Sequence, residues 1–184
     1  MNFFAIIFVA IPGMGKTALA KKLATKISST NIIEFDKFYI LGKSDNNSYL
    51  NAIKENIKKN NVILCKNHHN KESLEQVIDI LKNNNTPYII FNLIPQNFKE
   101  LEKVDQNIIV DILLDRIEKR NDNSSALTID TTIETSRKRA KNIIINAFVK
   151  KYEPPENCIY LNYIDSIDDN VNIMYKLIEK QFIF

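Results

Sequence analysis

Apolar positions fall into short unbroken runs separated by segments with helical spacing. Phe3–Val9 is apolar at every position and ends at "IPG", which predicts a central strand buried on both faces. Thr17–Ile27 places Leu19, Leu23 and Ile27 on one helical face. Asn31–Phe35 ("NIIEF") reads as a second strand, and Tyr49–Lys59 as a helix with Leu50, Ile53 and Ile57 inward. Val62–Cys65 is a short strand. Lys71–Lys82 is an amphipathic helix through Leu74, Val77, Ile78 and Leu81, and Tyr88–Leu93 after Pro87 is a further strand.

Asn107–Lys119 is helical, with Ile109, Ile112, Leu113 and Ile117 on one face, and the polar segment "RNDNSSALTIDTT" follows it. A long helix is expected from about Ile133 to Lys151, stopped by the paired prolines of "EPPEN". Cys158–Tyr163 reads as the last strand. Asp169–Lys180 reads as the closing helix, through Val171, Met174, Tyr175 and Ile178. Five strands alternating with helices predict an α/β fold: a doubly wound, mostly parallel five-stranded sheet with helices on both faces. No linker or internal repeat divides the chain, so residues 1–184 are expected to form one domain.

Composition fits that picture. The 184 residues are 45% hydrophobic and 26% charged, enough for one core. A net charge of +3 is compatible with a polyanionic partner but lacks the strong basic excess or tail of a non-specific nucleic-acid binder. Cys65 and Cys158 are too few and too far apart for a disulfide framework, so a reducing setting is expected, in the cytoplasm or nucleus. The apolar start lacks a basic stretch and leads directly into the best motif, so it reads as a strand rather than a leader. No later run is long enough to span a membrane. Abundant Asn, Ile and Lys suggest a biased coding composition, and the Asn runs say little beyond "loop".

The motif is Ala10-Ile11-Pro12-Gly13-Met14-Gly15-Lys16-Thr17, a small residue, four others and then Gly-Lys-Thr, between a strand and a helix. Gly13 and Gly15 let successive backbone N–H groups face a phosphate chain. The following helix start, through Ala18, adds partial positive charge. Lys16 is expected on the β and γ oxygens, and the Thr17 hydroxyl on Mg²⁺. The predicted architecture is thus a P-loop NTPase/kinase fold, which establishes triphosphate binding but not the reaction.

Three segments offer chemistry around the loop. "IIEFDKF" ends the second strand where ligands gather in such sheets. Asp36 is there either a general base for an attacking hydroxyl or a turn cap, and Glu34 would share its face if the strand ran on regularly. "VILCKNHHN" places Cys65 where Mg²⁺-dependent phosphate-loop enzymes often carry Asp, followed by Lys66, Asn67, His68 and His69. These four read as substrate or phosphate contacts, or as an ordinary polar turn. Two adjacent histidines with no further His or suitably spaced Cys argue against zinc. "DRIEKRNDN" puts Arg116 and Arg120 on one helical face, as lid cations over a triphosphate or as a solvated helix end. Arg137, Lys138, Arg139 and Lys141 form a basic patch that could follow a nucleic-acid backbone or simply be solvated.

Taken in order, these motifs resemble the polynucleotide kinase domain of fungal-type tRNA ligases over essentially the whole chain. "IIFVAIPGMGKTALAKKL" is similar to that domain's first strand and loop, "IIEFDKF" to its Asp-bearing segment, and "VILCKNHHN" to a strand followed by Asp-Arg-Asn-Asn-His. "RIEKRNDN" resembles the lid motif Arg-x-x-Lys-Arg-Gly-Asp-Asn-His-Gln, and "IIINAFVKKYEPPEN" and "NVNIMYKLIEK" its closing elements. The resemblance implies transfer of the γ-phosphoryl of GTP or ATP, with Mg²⁺, to an RNA 5′-hydroxyl, such as a tRNA exon or cleaved RNA. It implies Asp36 as general base, Arg116 and Arg120 as lid arginines over a lid of about residues 116–132, and Asn67 and His69 as the polar pair after the third strand. Asp122 and Asn123 correspond to the lid's Asp-Asn.

The chain departs from that pattern at Cys65 (Asp in the family), Lys66 (Arg), and Asn121, Ser124 and Ser125 (Gly, His and Gln). Lys lacks the bidentate fork of Arg. No ligase or phosphodiesterase module accompanies the segment, so separate partners, an RNA ligase among them, are expected to supply those steps. Two other readings stay open: a small-molecule kinase acting on a nucleoside-like alcohol, and a degenerate nucleotide- or RNA-binding module partnering a ligase.

Overall fold

The computed structural model of the chain describes residues 3–40, 43–119, 127, 129–131 and 133–183. Its centre is strand β1 (Ala5–Val9), every residue of which is buried. The continuous apolar run has that consequence because β1 is flanked on both edges and covered on both faces. Helix α1 (Lys16–Ala24) follows, then β2 (Thr30–Glu34), a 3₁₀ turn (Phe35–Phe38), and a two-stranded antiparallel ribbon of β3 (Tyr39–Ile40) and β4 (Lys43–Ser44). Next come α2 (Asn46–Asn56), β5 (Asn61–Cys65), α3 (Lys71–Asn83), β6 (Tyr88–Asn92) and α4 (Lys103–Glu118). α5 (Ser136–Ile143) continues as π-helix over Ile144–Val149. β7 (Ile159–Tyr160) and α6 (Ile167–Ile178) end the fold, α6 running into a π-helical Glu179–Ile183.

The main sheet has five parallel strands in the order β2-β5-β1-β6-β7. The crossovers are right-handed by rule, which places α1 and α6 on one face and α2 to α5 on the other. The packing agrees: α1 lies against α6, α2 against α3, and α4 against α5. Register aligns the strands' carboxyl ends, with Glu34 opposite Cys65 and Val9 opposite Asn92. That row of ends forms the crevice of a doubly wound sheet.

The expected fold class therefore holds, with informative differences at the edges. β2 stops at Glu34, because Phe35 turns into the 3₁₀ segment and does not extend the strand. Glu34 and Asp36 consequently do not share a regular strand face. The helix expected from Tyr49 starts at Asn46, capped by Asp45 through its carboxylate on the Ser48 N–H at 2.9 Å. The helix expected from Asn107 begins at Lys103. The long helix begins only at Ser136 and finishes in a π turn. The strand expected over Cys158–Tyr163 pairs only through Ile159 and Tyr160, beside Phe91 and Asn92. Most of the expected lid, with Arg120, Asn121, Asp122, Asn123, Ser124 and Ser125, lies outside the described residues.

Candidate active site

The phosphate loop follows β1 and packs into the core: Ala10, Ile11 and Met14 are buried beneath it. The Met14 thioether accepts the Ile11 N–H at 3.4 Å, and the Met14 N–H donates to the Ile11 carbonyl at 3.3 Å. Gly13 and Gly15 both adopt positive φ, 92° and 86°. A Cβ on Gly13 would meet the Leu113 carbonyl oxygen at 2.8 Å, so the loop is wedged against α4 and admits no side chain there. At Gly15 the restriction is conformational, since a Cβ would meet only the Ile167 methyl at 3.5 Å. The Gly15 carbonyl accepts from the Leu19 N–H, and Lys16, Thr17 and Ala18 make up the first turn of α1, Lys16 and Thr17 half-buried. Lys22 pairs with Asp168 and ties α1 to α6 behind the loop.

The β5 end lies directly beside the loop, where the Ala10 N–H donates to the Asn67 carbonyl at 2.9 Å. Cys65 is buried at 2% exposure, and burial pushes its thiol up to about 12. The Lys16 and Lys21 charges draw that value down, and Glu34 and Asp36 push it up, so two lysines and two carboxylates act on this sulfur. A protonated thiol is a poor partner for a hard cation. The oxygen-bearing groups that act on this sulfur are the Glu34 and Asp36 carboxylates, and Thr17 carries a hydroxyl at the start of α1. That donor set suits Mg²⁺. Glu34 also holds Lys37 at 3.0 Å.

Lys66 sits over the Phe35 ring at 4.4 Å and near Tyr49 at 5.4 Å, and its ammonium donates to Asn46 Oδ1 at 2.7 Å. Burial lowers its pKa to about 8, and no carboxylate pairs with it among the described residues. Asn67 Oδ1 is buried without a hydrogen-bond partner. A half-buried cation and a buried, unpartnered acceptor thus follow one another in the turn after β5. Asn46 was missed in the sequence: nothing distinguishes it among many Asn residues.

The two histidines turn away from each other. His68, at φ 40°, is 1% exposed; Nδ1 lies 3.2 Å from the Ser73 carbonyl and Nε2 3.3 Å from the Tyr49 hydroxyl. Burial lowers its pKa to about 3, so the ring is neutral. His69 packs on Phe148 at 4.7 Å and hydrogen-bonds the Ala147 carbonyl. Its ring joins the β5–α3 turn to the π-helical segment, close enough to Lys66 for that charge to act on it.

Arg116, in the last turn of α4, donates to the Tyr163 carbonyl at 3.0 Å and lies 5.5 Å from that ring's centre. It therefore braces the β7–α6 connection. Of the basic patch, Arg137 bonds Asp115 and Glu118, each at 2.6 Å, and Lys141 bonds Asp111 at 2.8 Å. These two cations fasten α5 to α4.

The sequence profile of the family described as "tRNA ligase kinase domain" matches residues 5–172. The chain belongs to this family. As a member of the tRNA ligase kinase domain family it is a kinase, and the match spans every element from β1 into α6. No curated protein sequence matches it. Among solved structures it is similar to a fungal RNA kinase, at 16% identity and TM-score 0.64, covering 99% of this chain and 88% of that one. A gluconokinase from Sinorhizobium meliloti is similar at 12% identity and TM-score 0.62, covering 99% and 97%. Mycobacterium tuberculosis APS kinase CysC, in complex with AMPPNP and APS, is similar at 13% identity and TM-score 0.60, covering 97% and 98%. At such identities these likenesses show the P-loop kinase fold. No helix among the described residues is long and apolar enough to cross a membrane.

Proposed function

We propose that this tRNA ligase kinase domain phosphorylates polynucleotide 5′-hydroxyl ends, with GTP or ATP as donor and an RNA end produced in tRNA splicing or repair as acceptor. The observation that carries the reading is the crevice beside the phosphate loop, where Asp36, Lys66 and the unpartnered Asn67 amide oxygen accompany a complete Gly-Lys-Thr motif. The 5′-oxygen attacks the γ-phosphorus, and its proton passes to Asp36. The bond from the γ-phosphorus to the β,γ-bridging oxygen breaks, and the nucleoside diphosphate leaves. Lys16 and the loop N–H groups hold the donor's β and γ oxygens. Thr17, with Glu34 beside Cys65, would hold Mg²⁺, which when bound neutralises charge on those oxygens.

Lys66 and Asn67 are assigned to the acceptor strand, the ammonium to its first phosphate. Arg116 reaches the triphosphate only by exchanging the Tyr163 carbonyl for a phosphate oxygen, and Arg120 would join it in a lid of about residues 116–132. The chain acts as one kinase domain, with a separate RNA ligase taking up its product. The fungal RNA kinase likeness supports this reading. The gluconokinase likeness supports the second, phosphorylation of a small alcohol. An acceptor panel separates them: we expect label from γ-labelled nucleotide on 5′-hydroxyl oligoribonucleotides, whereas label on nucleosides or sugars alone would favour the second.

A further inference from the structure

The α5 cations divide into two sets. Arg137 and Lys141 point to α4 and are neutralised there. Lys138 and Arg139 are exposed, have no ion pair among the described residues, and line a surface groove of about 520 Å³ with Asn142, Ile143, Asn146 and Ala147. These positions recur every three or four residues and share one helical face. The face continues to Lys150, whose ammonium donates to Asn146 Oδ1 at 2.7 Å. The stripe runs from Lys138 to Lys150 along α5 and its π-helical continuation.

Its far end adjoins the candidate active site: Ala147 lines the groove and also takes the hydrogen bond of the His69 ring, two residues from Asn67. Lys151 lies close enough to act on His69 electrostatically. Along the groove the cations Lys138 and Arg139 are followed by the amides Asn142 and Asn146 and one partly exposed aliphatic surface, Ile143, 37% exposed. Cations held clear of any carboxylate retain their charge for an outside polyanion, the amides can bond sugar and phosphate oxygens, and Ile143 offers an apolar surface to a base.

We propose that this face of α5 and its π-helical extension is the track for the single-stranded RNA behind the reacting 5′ end, with Lys150 on a phosphate nearer the site and Lys138 and Arg139 on phosphates farther along the strand. The inference deepens the proposed polynucleotide kinase reading and rests on it. His69 and Phe148 fix the junction between track and site, so they are positioning residues, and the cations are the groups that touch RNA.

The test is fluorescence anisotropy with a labelled single-stranded RNA of about ten nucleotides. This RNA carries a 5′-phosphate, so binding is read without transfer. The Lys138→Ala/Arg139→Ala protein, checked by its melting curve, is expected to bind roughly tenfold more weakly. Its log-affinity against log-salt slope should be shallower by about 1.4, at about 0.7 for each phosphate no longer neutralised. Lys150→Ala should add a further, smaller weakening, and Lys138→Arg should keep the wild-type slope. Unchanged affinity and slope in the folded double variant would overturn the track, as would binding of an acidic peptide on this face with no RNA bound. RNA binding that depends on these cations in a protein with no transferase activity would uphold the track and sink the kinase reading. Transfer with a charge-independent acceptor KM would do the reverse.

Discussion

Among single residues, the most telling side chain is Lys66. Packed on Phe35 and close to Tyr49, with Asn46 as its hydrogen-bond acceptor, it has a pKa lowered by burial to about 8. Tyr49 beside it is held neutral by burial far up the alkaline range, and His68 by burial at about 3, so Lys66 is the group here that changes charge near neutrality. The ammonium is present below about pH 8 and lost as pH rises through that value. Acceptor phosphate binding should follow, so kcat/KM for RNA is expected to fall above about pH 8, reporting the free enzyme. Lys66→Arg, charged throughout, should remove this limb from the pH–rate profile. An unchanged limb in that variant would take Lys66 out of acceptor binding. Cys65, by contrast, is pushed by burial up to about 12 and stays a neutral thiol.

One level up, among the elements, the β5–α3 turn links the site to the fold. Asn67 accepts from the phosphate loop, His68 ties the turn to α2 and α3 through Tyr49 and Ser73, and His69 ties it to the π-helical segment. The neutral His68 has a folded pKa far below its unfolded value. The unfolded chain therefore binds the extra proton as pH falls below about 6.5, and stability drops from there toward about pH 3. One such proton is worth up to about 1.4 kcal/mol per pH unit. His69, lowered in the same direction by burial, contributes with the same sign. We expect His68→Gln to be less stable at pH 7 but to show a flatter pH dependence between about 6.5 and 5 in urea melts. Equal slopes in both proteins would contradict that assignment. None of this was legible in "KNHHN", where two adjacent histidines look alike. Their separation follows from the left-handed backbone at His68, which only tertiary packing reveals. Element ends were misread for similar reasons: Phe35 is apolar and reads as strand, yet its ring turns to Tyr49 at 5.2 Å and begins a 3₁₀ turn.

For the whole molecule, the parallel five-stranded sheet and the phosphate loop were readable because each rests on spacing: apolar runs near helical segments, and two glycines before Lys-Thr. The family was readable through the resemblance of several motifs in order. The sequence did not reveal how cations are shared out. Arg116 and Arg137 look alike in the chain, but one braces the Tyr163 carbonyl and the other neutralises two α4 carboxylates. Lys138 and Arg139, one and two positions beyond Arg137, remain unpaired among the described residues. That sorting depends on which helix packs on which face, and it turns a basic patch into a candidate RNA track continuous with the crevice. Everything at this level rests on phosphoryl transfer to a polynucleotide end with Asp36 as base. The decisive experiment is the initial rate of γ-labelled phosphate transfer from GTP or ATP to 5′-hydroxyl RNA, in wild type and Asp36→Ala. We expect labelled RNA 5′ ends with the wild type and a rate lower by about a hundred- to ten-thousand-fold in the variant; full activity in Asp36→Ala, or label on small alcohols and none on RNA, would refute the mechanism.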